Sequence, residues 1–332
     1  MSALKIAMVV PDGTPVEGGN WSSAKRIADG LQRFGHQVWM GHLSEWRDDG
    51  FDVVHALNAR TTALPLLRAG LAPERLVVTW TGTDVWRPET YEPENRAALT
   101  AVHRHTVLTP DAVAVVAGRL GLSFEQVRYV PPSVDPEKFS PSGPRQPLAH
   151  PVLLIPGAGR PEKGALEALE LVDALQAFKP VHLAIVGPSR DDVYWARVMT
   201  RLEAAPWASW YGPVPPAEMP RWYRAADVVI NTSLTEGLSN ALLEALAVGR
   251  PVLARDIPGN RSLLEPGAVG RLFDQPDEFV REAAELLENP GEAEALGRRA
   301  RAYVLEHFHA ADELARFQAL YQELEPSSCR AR

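Results

Sequence analysis

The sequence predicts an α/β protein of two Rossmann-like, doubly wound domains, and three observations predict it. Short apolar runs alternate with longer amphipathic stretches, a proline-rich break falls near the middle, and 332 residues suit two domains of ordinary size. The runs are Lys5 to Val10, Val53 to Ala56, Leu76 to Trp80, Val152 to Ile155, His182 to Gly187, Val228 to Asn231 and Pro251 to Ala254. Strands this short and this apolar belong to parallel sheets covered by helices on both faces. The break, Ser140 to Pro151, holds four prolines and one glycine in twelve residues, so it is extended rather than helical. It is read as the linker between a domain of residues 1–145 and one of residues 151–309, with a last helix over 310–325.

Composition narrows the function classes. With 45% hydrophobic and 23% charged residues the chain is an ordinary globular protein. A net charge of −8 argues against nucleic acid or an anionic membrane as a general partner. No apolar run approaches the roughly 20 residues that span a bilayer. Met1 to Val10 lacks the apolar core of a secretion signal, so the expected location is the cytoplasm. The single cysteine, Cys329, allows neither an internal disulfide nor a multi-cysteine metal site. Nothing in the chain speaks to its oligomeric state. Arginine greatly outnumbers lysine, which makes each lysine the more informative cation.

Two loops carry chemistry. Pro11 to Asn20, PDGTPVEGGN, follows the first strand and leads into a helix. Gly18 and Gly19 there would let an anion approach the helix-start amides, and a plain strand-to-helix turn explains the loop equally well. Thr235 to Pro251, TEGLSNALLEALAVGRP, follows the strand ending at Asn231 and places Glu236 in a loop and Glu244 about one turn into a helix starting near Ser239. Free amides at a helix start suit phosphate or sugar oxygens, and two carboxylates beside them can accept hydroxyl hydrogen bonds.

This string resembles the Glu-x7-Glu signature of the family 4 retaining glycosyltransferases, which have the GT-B fold, and the likeness continues through Gly249, Arg250, Pro251 and Val252. The loop with Gly18 and Gly19, the stretch VPPSVDPEKFSP from Val130 to Pro141 and the stretch GRPEKG from Gly159 to Gly164 fit the same resemblance in order. It implies two Rossmann-like domains with an interdomain cleft, an N-terminal acceptor domain against which the last helix packs back, and a C-terminal donor domain. The implied partners are a nucleotide-sugar donor, a UDP-sugar, and a small-molecule or glycan acceptor.

By the same resemblance Arg160 and Lys163 bind the donor diphosphate, Glu236 faces the transferred sugar and Glu244 binds the ribose. Amides of Gly237, Leu238, Ser239 and Asn240 lie near phosphate or sugar oxygens, Gly18 and Gly19 count among the donor contacts, Gly187 and Pro188 border the nucleotide, and Pro213 and Val214 flank the base. The Arg160 to Lys163 spacing is shorter than the family's usual form. No Asp-x-Asp is present to hold a divalent cation, so no metal and no cofactor is expected.

One position departs from the pattern. Where many members carry His-Gly-x-Asp, this chain has Thr81 to Asp84, TGTD. Threonine offers a hydroxyl but no imidazole acid-base chemistry. On the acceptor side the candidates are Asn20, His55, Thr81 and Asp84. His55 sits near a strand end where such sheets bind ligands, and a packed histidine is an equal reading. The runs GTDVW, GNWSSAKRIADGL and ARDIPGN look like a smaller branch that includes glycosyltransferase-1-domain-containing proteins and selenosugar synthases. The latter join selenophosphate to a UDP-N-acetylhexosamine, so C–O and C–Se bond formation both stay open. A nucleotide-sugar 2-epimerase and a non-catalytic sensor are the rival classes. His103 with His105 and His307 with His309 lack further ligands for a metal site. Trp21 and Trp86 are candidates for an acceptor wall or for the core.

Overall fold

The computed structural model describes residues 3–16, 18–157, 159–266 and 268–323; Cys329 and the last two residues of the expected terminal helix lie outside them. The chain forms two compact units, one of residues up to Ser133 and from Ala310 on, the other of Val134–His309. Each contains a parallel six-stranded sheet flanked by helices, as the expected pair of Rossmann-like domains requires.

In the first unit the strands are β1 (Lys5–Val10), β2 (Gln37–His42), β3 (Val53–Leu57), β4 (Leu76–Trp80), β5 (Arg104–Val107) and β6 (Val127–Tyr129), in the order β2-β1-β3-β4-β5-β6. The two-residue period of a strand divides β1 between two cores. Ile6, Met8 and Val10 pack with Ile27 and Leu31 of the Gly19–Arg33 helix and with Phe317, Leu320 and Tyr321 of the Ala310–Gln322 helix, while Ala7 and Val9 join Val54, Ala56, Val78 and Val116. The terminal helix is also pinned by charge: Glu313, only 3% exposed, receives Arg26 Nε and Nη2 at 2.8 Å each and Ser133 Oγ at 2.6 Å. A buried carboxylate is tolerated when it is paired and hydrogen-bonded in this way.

His55 belongs to this core. It lies in the middle of β3, fully buried, with Nδ1 2.6 Å from the Tyr321 hydroxyl and Nε2 2.6 Å from Thr79 Oγ1. Both ring nitrogens are therefore spent inside the fold, which corrects the acceptor-side reading of this residue. Burial lowers its pKa to about 3. The fold thus holds a neutral imidazole, whereas an unfolded chain protonates it near pH 6.5; its stabilising effect is complete above that pH and lost on acidification toward pH 3, on the order of 5 kcal/mol in all. Between pH 7 and pH 5 the wild type should lose about 2 kcal/mol more than His55→Gln in urea unfolding. Equal losses would contradict the assignment.

The second unit has β7 (Val152–Pro156), β8 (His182–Val186), β9 (Ala208–Trp210), β10 (Val228–Asn231), β11 (Val252–Arg255) and β12 (Arg271–Phe273), in the order β12-β11-β10-β7-β8-β9. Its core joins Leu153, Ile155, Leu183, Ile185, Val228 and Ile230 to the flanking helices. The proline-rich stretch expected as a linker lies within this unit rather than ahead of it. An extended chain leaves its carbonyls without partners in its own backbone, and one arginine takes up two of them: Arg224 donates to the carbonyls of Ser140 (3.0 Å) and Pro144 (2.8 Å). The order of strands reverses between β7 and β10, and ligands of such sheets bind beyond the carboxyl ends of the strands at that point. In the first unit the reversal falls between β1 and β3.

Candidate active site

The loops that leave β7 and β10 meet at the reversal point of the second sheet, where the two strands pair directly. Leu234 N donates to the Glu162 carbonyl at 2.9 Å. Thr232 Oγ1 lies 3.1 and 2.8 Å from the carbonyls of Lys163 and Gly164. Gly164 makes this approach feasible: its φ is +69°, and a Cβ there would lie 2.3 Å from the Thr232 carbonyl oxygen. Only glycine meets both demands without strain.

This stitching sets Lys163 Nζ 2.6 Å from Glu236 Oε1. The same oxygen accepts from Ser233 Oγ at 2.9 Å and from Asn231 Nδ2 at 3.4 Å. Asn231 is itself oriented, because its Oδ1 accepts from Ser233 N at 3.0 Å and from the buried Asn260 Nδ2 at 3.2 Å. Glu236 is 10% exposed and Lys163 23%. Burial alone would raise the Glu236 pKa, but the Lys163 ammonium and the hydrogen bonds from Lys163, Ser233 and Asn231 outweigh it and hold the carboxyl below its usual range. Glu236 is thus a fixed carboxylate at neutral pH rather than a proton donor. An ammonium has three donors, so Lys163 keeps N–H groups for a ligand after serving Glu236.

Glu236 leads directly into the Asn240–Val248 helix, whose N-cap is Ser239. The first-turn amides of a helix have no partners within it, so this start offers donors next to the ion pair. Leu238 buries its side chain, leaving its backbone for that role. Glu244 lies one turn along the helix, and its Oε2 accepts from the Tyr223 hydroxyl at 2.8 Å. Burial and the Glu244 charge push the Tyr223 phenol well above its ordinary pKa, so it stays a donor. Gly187 closes β8, its N–H bonded to the Gly212 carbonyl at 2.9 Å.

In the first unit Gly18 is the N-cap of the Gly19–Arg33 helix, and Gly19 and Asn20 form that helix's first two positions, beyond the carboxyl end of β1. Asp84 is buried and serves the backbone: its carboxylate accepts from the amides of Ala59 (2.8 Å), Thr81 (3.0 Å) and Gly82 (2.9 Å). Burial pushes its pKa up to about 6 although those amides pull it down. A side chain so placed shapes the loop, which corrects its reading as a sugar contact. Thr81 is half-buried, and its Oγ1 accepts from Asn58 Nδ2 at 3.2 Å. Asn58 holds φ at +84° and turns its Oδ1 to the amides of Arg60 and Thr61.

Residues 139–303 match the family described as glycosyl transferases group 1. Glycosyltransferase 1 domain-containing protein 1 of Xenopus tropicalis is 36% identical over 124 residues, which are 37% of this chain and 36% of that protein. The chain therefore spans little more than a third of that relative. D-inositol 3-phosphate glycosyltransferase 1 of Catenulispora acidiphila is 27% identical over 308 residues, 82% of this chain and 72% of that protein. Among solved structures, Anabaena Alr3699/HepE in complex with UDP and glucose superposes with a TM-score of 0.75 at 17% identity, over 96% of this chain and all of the other. The likeness to this family covers just under half of the chain, and the fold is shared with that solved structure over nearly all of it.

The parts of this site that sequence reasoning missed are the groups holding its charged residues: Asn231, Ser233, Asn260 and Tyr223. The one signal available was Asn231, a polar residue closing an apolar strand. The two tryptophans weighed for an acceptor wall or the core are both half-buried, Trp21 against His42 at 4.9 Å between ring centroids and Trp86 against the β3 and β4 core. His105 is buried and its Nδ1 accepts from Trp80 Nε1 at 3.1 Å. Among the described residues no group of three or more His, Cys, Asp or Glu is arranged to hold a metal ion, and no helix is long and apolar enough to cross a membrane.

Proposed function

We propose that this glycosyltransferase moves a sugar from a nucleotide-sugar donor, a UDP-sugar, to its acceptor with retention of configuration and without a metal ion. The observation that carries the reading is the Lys163–Glu236 ion pair at the strand-order reversal of the second sheet, beside a helix start. The diphosphate lies against Lys163, Arg160 and the amides that begin the Asn240–Val248 helix. As the bond from the anomeric carbon to the phosphate oxygen lengthens, negative charge gathers on the leaving group, and these fixed cations and dipoles stabilise it. Glu236, ionised and immobile, accepts hydrogen bonds from hydroxyls of the transferred sugar, and Glu244 accepts them from the ribose.

The acceptor attacks the anomeric carbon from the face the diphosphate leaves, and its proton passes to the departing phosphate oxygen. Thr81 takes no proton in this scheme. UDP as the nucleotide is supported by the HepE structure, which holds UDP and glucose on the same fold. A second reading, C–Se bond formation with selenophosphate, is favoured by Thr81 itself: an anionic acceptor needs no base, so the missing imidazole costs it nothing.

A thermal-shift panel of nucleotide sugars tests the proposal. A cognate donor at about 100 times its dissociation constant stabilises by roughly 2.7 kcal/mol. A UDP-sugar should raise the melting temperature most; no shift with any nucleotide sugar would overturn the reading. Tyr223→Phe should raise the donor KM about fivefold and leave kcat unchanged, because it removes one neutral hydrogen bond that orients Glu244. An unchanged KM would separate Glu244 from donor binding.

A further inference from the structure

The loops after β7 and β8, adjacent strands of the second sheet, interlock beside the Lys163–Glu236 pair. Gly157 N donates to the Val186 carbonyl at 2.6 Å, and Arg190 N donates to the Gly159 carbonyl at 3.0 Å. Gly159 lies so close to the second loop that a Cβ would fall 1.7 Å from the Pro188 carbonyl oxygen. The contact fixes the backbones that carry Arg160 and Arg190 and brings two guanidinium groups to the same end of the sheet. Both are exposed, and no carboxylate pairs with either among the described residues. The chain's other cation here, Lys163, is already partnered by Glu236. Partial desolvation and then the charge of Arg160 lower the pKa of Arg190, and a bound anion removes that like-charge cost.

We propose that Arg190 is a further donor-binding residue, which together with Arg160 grips the diphosphate of the nucleotide from the β8 side. This rests on the donor-site reading above. Two planar guanidiniums match the oxygens of a diphosphate better than one, since each can donate two parallel hydrogen bonds. The shortened spacing between Arg160 and Lys163 gives the second guanidinium a purpose: the loop after β8 supplies the cationic reach that the shorter loop after β7 lacks.

The test titrates UDP and uridine into the full-length wild type and the variants Arg190→Ala and Arg190→Lys by calorimetry. Wild type should bind UDP far more tightly than uridine. Arg190→Ala should weaken UDP about tenfold or more while leaving uridine affinity and the melting temperature unchanged, with Arg190→Lys intermediate. If wild type prefers UDP and Arg190→Ala loses none of that preference, the role of Arg190 is overturned while the donor site stands. If wild type does not discriminate UDP from uridine, the donor-site reading itself falls, and this assignment with it.

Discussion

Replacing Lys163 by alanine is expected to lower kcat for donor consumption by about 10²- to 10³-fold, the cost of removing one fixed group that stabilises charge on a leaving oxygen. The ammonium lies 2.6 Å from Glu236, so its loss has two consequences. On the proposed reading, the diphosphate loses a cation in the transition state. Glu236 loses the positive neighbour that offsets its burial, so its pKa rises. Activity of Lys163→Ala should therefore fall further in mildly acidic buffer than activity of the wild type, as Glu236 begins to protonate. Lys163→Arg should recover part of the loss. A variant with undiminished turnover at pH 7 would remove Lys163 from the reaction.

Gly164→Ala is expected to destabilise the second unit by about 3 kcal/mol, because it combines an unfavourable positive φ with overpacking against a backbone carbonyl. A Cβ at this position, 2.3 Å from the Thr232 oxygen, would drive the loop after β7 away from the loop after β10. Lys163 would move with it, so donor affinity should fall along with stability. Denaturant unfolding reads the first effect and UDP titration the second. Loss of stability without loss of affinity would show that the two loops need not touch for Lys163 to act.

How far the sequence revealed this fold depends on where each strand sits. β1, β4 and β10 lie inside their sheets, are apolar at all but one position each and stood out at once. β2, β6, β9 and β12 were not anticipated, and they are the four outermost strands of the two sheets. An edge strand has one neighbour and a more exposed surface, so Gln37, Arg128, Ser209 and Arg271 carry no penalty there and mask the pattern. β5 is interior and was hidden for another reason. Its residues Arg104, His105 and Thr106 are polar, and their burial works through specific partners: His105 with Trp80, and Thr106 Oγ1 with Thr79 Oγ1 at 2.6 Å.

The site shows the same division. Lys163, Glu236 and Glu244 could be singled out because the motif fixes residue type and spacing together, and the structure brings the first two into an ion pair. Asn231, Ser233, Asn260 and Tyr223 were not, because a supporting hydrogen bond can come from many positions and leaves no periodicity. His55 was ambiguous from sequence since its meaning turned on Tyr321, 266 residues away. Arg190 was overlooked in a chain rich in arginine; the interlocked glycine loops set it apart, and they exist only in three dimensions.

The most direct test of the central claim is to incubate the purified chain with a UDP-sugar and resolve the products by mass spectrometry and proton NMR, with selenophosphate and candidate hydroxyl acceptors in parallel. The donor-site account predicts free UDP together with a sugar transferred to acceptor or to water, retaining its anomeric configuration, and loss of both products in Lys163→Ala. Recovery of an intact UDP-sugar epimer, or of unchanged donor under every condition, would contradict it.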